Sequence, residues 1–151
     1  MREVVGLWYV GHSTAGQVVY AACDLLAVGF DGPSLCMLAA VPIDQADVEV
    51  PDLLEPALND VGLTYYAKGS LAAQKAGLFA IVARTLSNRL PPRALAAWAY
   101  STFGHERLEL AEYLAALDVV YDTPGNTDTE RRDVDALVMA DGELRIRQAS
   151  A

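Results

Sequence analysis

His12 and His105 are the only two imidazoles in the chain, so a nucleophilic triad would have to recruit one of them as its base. Neither lies in a G-x-S-x-G turn or close in sequence to Cys23 or Cys36. Each directly follows a glycine, Gly11 or Gly104, and reads as a turn residue. His105-Glu106 lacks the second histidine of an H-E-x-x-H helix, and the Glu-x-x-His pairs of di-iron bundles are absent. No metal and no cofactor is expected. Asp118 and Asp122 are four residues apart and share a helix face, the minimum for a weak divalent-ion site. They fall near a helix carboxyl end, where negative charge opposes the macrodipole by roughly a few tenths of a kcal/mol. His105, Asp118, Tyr121 and Asp122 therefore carry the alternative reading, a small enzyme or metal-dependent binding protein.

No phosphate cradle is written into the chain. Gly11 to Gly16 lacks the G-K-[ST] ending, and Gly29-Phe30-Asp31-Gly32 lacks the spacing of a dinucleotide fold. Trp98, Tyr100 and Phe103 have no basic surround and read as core rather than a base-stacking platform. Arg84, Arg89 and Arg93 form a modest basic stretch around Pro91-Pro92, expected to pair with acids of the next helix such as Glu109 or Glu112.

These residues must be positioned by helices. Glu3 to Val10 is β-branched and aromatic and reads as a short strand or irregular arm. Ser13 or Thr14 caps a first helix carrying Val18, Val19, Ala22, Leu25 and Leu26 up to Gly29, and Pro33 opens a short second one with Leu35, Leu38 and Ala39. Asp44 to Val50 reads as a polar connection before Pro51, which starts a third helix through Leu53, Leu54, Ala57, Leu58 and Val61 to Gly62. Ser70 caps the longest helix, with Leu71, Leu78, Val82 and Leu86 as its seam. Leu95, Trp98, Ala99 and Phe103 line a helix after Pro92, and Leu110, Leu114, Leu117 and Tyr121 line another after a tight turn at Gly104-His105, giving an antiparallel hairpin. Thr127 or Asp128 caps a final helix, although Asp141-Gly142 suits a β-hairpin as well. Leu78, Val82, Leu86, Trp98, Leu110, Leu114 and Leu117 are the expected core. The fold class is all-α, a single domain over residues 1–151 with about six helices and a short strand or hairpin at either terminus.

At 151 residues and 53% hydrophobic, the chain can bury a core without disulfides. Cys23 and Cys36 read as buried small hydrophobes in a reducing compartment. The amino terminus makes a poor signal peptide, and Val18 to Phe30 contains Asp24 and is too short to span a membrane, so a cytoplasmic, membrane-free protein is expected. With 20 acidic against 11 basic residues the net charge is −9, which removes the electrostatic term for direct binding of nucleic acid and favours a basic protein partner.

Leu26, Gly29, Asp31-Gly32-Pro33, Leu35 and Leu38-Ala39, then Leu53-Leu54, Ala57-Leu58 and Gly62, resemble small uncharacterised helical proteins of high-GC bacteria. The resemblance covers the first sixty residues, implies a helical fold and transfers no activity. The function expected from the residues is a non-enzymatic acidic interaction domain, such as an immunity or antitoxin-like inhibitor of a basic partner. Glu109, Glu112, Asp118 and Asp122 are its expected footing.

Overall fold

The computed structural model describes residues 1–103, 109–123 and 127–150, the side chains at 109–111 and 148–150 excepted. Among the described residues there is no strand. The helices are α1 (Arg2–Tyr9), α2 (Ala15–Ala27), α3 (Pro33–Ala39), α4 (Ala46–Asp60), α5 (Leu71–Leu86), α6 (Pro92–Phe103), α7 (Glu109–Tyr121) and α8 (Asp128–Ser150), with a 3-10 turn at Ile43–Gln45. Among the described residues the fold is all-helical as expected, with eight α-helices rather than about six. The chain forms two compact units, Met1–Ala80 and Ile81–Ala151, and the division falls within α5.

Caps set many of the helix limits in the first unit. Thr14 accepts from the Gln17 N–H while the Gln17 side chain accepts from the Thr14 N–H, a reciprocal capping box at the start of α2. Gly62, at φ +68°, ends α4: its N–H donates to Asn59 O and the Leu63 N–H to Leu58 O, so the last carbonyls are paired. Ser70 accepts from the Ala73 N–H and caps α5.

Three expectations fail in this unit. The amino-terminal segment is helix α1, because Val5, Leu7, Trp8 and Tyr9 are buried and this packing outweighs their strand preference. Asp44 to Val50 is no connection but the 3-10 turn and the first turn of α4, which places Pro51 inside the helix. Pro51 and Pro56 are both exposed, so the carbonyls they leave unpaired can reach water. Cys23 and Cys36 are exposed rather than buried: Cys36 lies off the line of Leu35 and Leu38, and the Cys23 thiol donates weakly to Ala39 O at 3.5 Å.

The core of the first unit collects Val5, Trp8, Val18, Val19, Ala22, Leu35, Leu38, Val50, Leu54, Leu58 and Ala73. Asp60 ties α4 to α3, since its Oδ2 accepts from the Ser34 and Leu35 N–H groups at 2.7 and 2.9 Å. A Cβ at Gly32 would meet Asp60 Cβ at 2.4 Å, so the approach requires glycine there. Close approach also governs α1 on α5, where a Cβ at Gly77 would fall 2.2 Å from Val10 Cγ1 and 3.0 Å from Gly6 O. Gly77→Ala gains about 1 kcal/mol of helix propensity but overpacks by about 1–3 kcal/mol, so a net loss of stability is expected. Denaturant unfolding checks the cause: adding Val10→Ala to Gly77→Ala should recover part of the loss.

In the second unit α7 packs on α6, and both pack on α8. Arg93, in the first turn of α6, reaches Asp122 just past the end of α7, so these helices run antiparallel as expected. The expected tight turn at Gly104-His105 lies outside the described residues. Leu95, Ala96, Trp98, Ala99 and Phe103 of α6, Leu114, Ala115, Leu117 and Tyr121 of α7, and Val134 and Val138 of α8 are buried. Trp98 meets Phe103 edge-on at 5.2 Å, which makes them core, while Tyr100 is exposed.

The expected seam of α5 is only partly right. Leu78 and Val82 are fully buried, Leu86 is half-buried, and Leu71 is exposed because it begins the helix. The side chain of Leu110 lies outside the described residues. The longest helix is α8, not α5. It starts with a second capping box, Thr127 with Glu130, and runs unbroken through Asp141-Gly142. Gly142 is buried, and a Cβ there would stand 3.1 Å from Val82 Cγ1, so this glycine serves close packing rather than a hairpin turn.

Candidate functional site

Asp118 and Asp122 occupy the last turn of α7 and the residue after it, where the helical spacing places Tyr121 beside them. The antiparallel course of α6 brings Arg93 to the same end. Its Nη2 pairs with Asp122 Oδ1 at 2.7 Å, and its guanidinium carbon stands 5.8 Å from the centre of the Tyr121 ring. From α8, Asp135 Oδ1 accepts a hydrogen bond from the Tyr121 hydroxyl. Of the residues singled out in the sequence, Asp118, Tyr121 and Asp122 therefore meet, together with Arg93 and Asp135. His105 lies outside the described residues, as does the Glu109 side chain; Glu112 is exposed on α7. His12 sits in the turn that ends α1, its N–H donating to Leu7 O.

Of the arginine stretch expected to pair with acids such as Glu109 or Glu112, Arg93 meets a different acid, and the Glu109 side chain lies outside the described residues. Arg93 pairs with Asp122, one residue beyond α7, because the first turn of α6 lies opposite that end. Arg89 donates to the Ser87 hydroxyl at 2.9 Å.

Electrostatics constrain what this cluster can do. Burial first, then the hydrogen bond to Asp135 and the charge of that carboxylate, push the Tyr121 phenol far above its ordinary value. It stays protonated near neutrality and cannot serve there as base or nucleophile. Burial, then the charge of Asp122, raise the Asp118 carboxyl, against the opposing pull of Arg93. A carboxyl whose folded pKa lies above its unfolded value adds stability at acid pH and loses it as pH rises through the folded pKa. Asp118→Asn should therefore raise Tm at pH 7, with the advantage closing below about pH 4, near the unfolded aspartate value. A Tm gain as large at pH 3 as at pH 7 would contradict this.

Among the described residues, no group of three or more His, Cys, Asp or Glu side chains is placed to hold a metal ion. No helix among them is long and apolar enough to cross a membrane. No family model, curated protein or solved structure matches the chain.

A further feature, legible in the sequence but obscured by the net charge, lies in the first unit. From Val4 to Ala67 the chain has eight acidic residues and no lysine or arginine. Seven of the eight, Asp24, Asp31, Asp44, Asp47, Asp52, Glu55 and Asp60, are exposed, and Glu49 is half-buried. The signal was present as a gap in basic residues, hidden by averaging the charge over the whole chain.

Proposed function

We propose that this chain is a non-enzymatic, acidic protein-interaction domain of the bacterial cytoplasm, acting as an immunity or antitoxin-like inhibitor of a basic partner. The observation that carries the reading is the exposed, uncompensated negative charge between Val4 and Ala67. Complementary fields steer encounter and raise association rates in a salt-dependent way. On the second unit, Glu109, Glu112, Asp118 and Asp122 offer a further footing; Glu112 is exposed, whereas Asp122 is paired with Arg93.

Stopped-flow association with a basic ribonuclease, read beside inhibition of its activity, tests the reading. Association should slow steeply as salt rises, and Glu109→Gln with Glu112→Gln should slow it further at low salt while leaving the helical content unchanged. Absence of binding at low ionic strength would count against the domain as a partner for basic proteins.

A second reading, an enzyme or metal-dependent binder, is supported by the convergence of Asp118, Tyr121 and Asp122 with Arg93 and Asp135. It requires metal in elemental analysis of the purified protein, or a binding property that Tyr121→Phe removes. A clean analysis and an unaltered Tyr121→Phe variant would dispose of it.

A further inference from the structure

A cavity of about 410 Å³ opens at the carboxyl end of α4, lined by Glu55, Asn59, Gly62, Leu63, Thr64 and Tyr65. Among the described residues that line it, Glu55 is the only charged one. Asn59 and Thr64 add oxygen acceptors, and the Tyr65 ring is braced edge-on by Tyr9 at 6.4 Å between centres. The Tyr9 hydroxyl is anchored in turn, accepting from the Tyr66 N–H at 3.0 Å. The negative end of the α4 dipole faces the same region. A carboxylate, neutral acceptors and an aromatic ring favour a cation, and among side chains a guanidinium, whose planar fork matches a carboxylate and whose face stacks on a ring.

The approach to the cavity has the same sign. Val48, Asp52, Glu55 and Asn59 recur at spacings of four, three and four and so lie along one face of α4, where Val48 is 77% exposed and both Asp52 and Glu55 are open to solvent. Asp60 does not contribute, since its carboxylate caps α3.

We propose that this cavity receives an arginine side chain of a basic protein partner, with Glu55 as the anion, Tyr65 as the stacking face, and the exposed face of α4 steering the approach. The inference rests on the reading of the chain as a domain that binds basic proteins, and it assigns the docking surface.

Titration of the 151-residue chain with a hexa-arginine peptide at low salt, followed by amide chemical shifts, tests it. Shifts should centre on Glu55, Asn59 and residues 62–65, and hexa-lysine of equal charge should bind more weakly. Glu55→Gln and Tyr65→Leu should each weaken hexa-arginine binding about five-fold, as expected for loss of one charge pair or one stacked cation, while Glu112→Gln changes it less than about two-fold. Shifts centred elsewhere, affinity indifferent to Glu55→Gln and Tyr65→Leu, or equal binding of the two peptides would overturn the cavity while leaving the acidic interaction domain standing. No binding of either peptide would overturn both.

Discussion

Asp141→Ala is expected to destabilise the second unit by about 3–5 kcal/mol, the usual cost of leaving one member of a buried ion pair alone. Asp141 and Arg145 stand four residues apart on α8 with side chains only 13% and 9% exposed. The guanidinium meets both carboxylate oxygens, Nη2 to Oδ1 at 3.1 Å and Nε to Oδ2 in a second, closer contact. Removing the carboxylate strands a positive charge away from water, whereas removing both charges does not. Asp141→Leu with Arg145→Met should therefore recover most of the loss and fall within about 1 kcal/mol of the parent, or exceed it. Urea unfolding followed by circular dichroism distinguishes the cases. If the single and double replacements cost the same, the pair contributes through packing of its aliphatic parts and not through charge.

Asp141, followed by Gly142, also explains why the last helix was ambiguous in sequence. Asp-Gly marks a tight turn wherever its neighbours alternate, and Leu137-Val138-Met139 and Leu144-Arg145-Ile146 flank it evenly. The helix prevails because Val134, Val138 and Arg145 are buried on one side of α8 and Gly142 admits Val82 at close range. Caps at Ser13 or Thr14, at Ser70 and at Thr127 or Asp128 were legible, with Thr14 and Thr127 the ones used, and Pro33 and Gly62 were legible as start and stop, because capping is decided by a few neighbouring residues. The amino-terminal helix was not legible, since Val4, Val5, Trp8 and Tyr9 favour a strand locally and become helical through contacts with residues far along the chain. Gly6 is one such contact: a Cβ there would lie 2.8 Å from Ala76 O. Pro51 misled for the opposite reason, as a strong local signal whose cost is lowered by exposure.

The candidate site shows the same boundary between local and tertiary information. The proximity of Asp118, Tyr121 and Asp122 follows from helical spacing alone. Arg93 reaches Asp122 across 29 positions and Tyr121 reaches Asp135 across 14, so these partners depend on how α6 and α8 meet α7. The α4 cavity combines both kinds: Glu55 and Asn59 are one helical turn apart, but Tyr65 comes from the following connection, held by Tyr9 of α1. Charge was the one property readable at every scale, and its useful feature was its distribution. Nine acidic and three basic residues lie in Met1–Ala80, against eleven and eight in Ile81–Ala151.

Leu114→Ala is expected to cost about 2–5 kcal/mol, because the lost transfer energy of a fully buried leucine adds to the cavity it leaves. Leu114 is wholly inaccessible to solvent, on a helix packed against both α6 and α8. Its neighbour Tyr113 is 45% exposed, so a change of one position along α7 passes from core to surface. Tyr113→Ala should therefore remain within about 0.5 kcal/mol of the parent, the range of surface substitutions. Leu117→Ala, at 6% exposure, should resemble Leu114→Ala. The comparison fixes the rotation of α7, and with it which acids face outward: Leu114 and Leu117 turned inward leave Glu112 to solvent. Denaturation midpoints for the three variants should fall in the order Tyr113→Ala above the two leucine variants. If Tyr113→Ala were the most costly, α7 would have to be turned on its axis, and Glu112 could no longer stand as part of an exposed acidic footing.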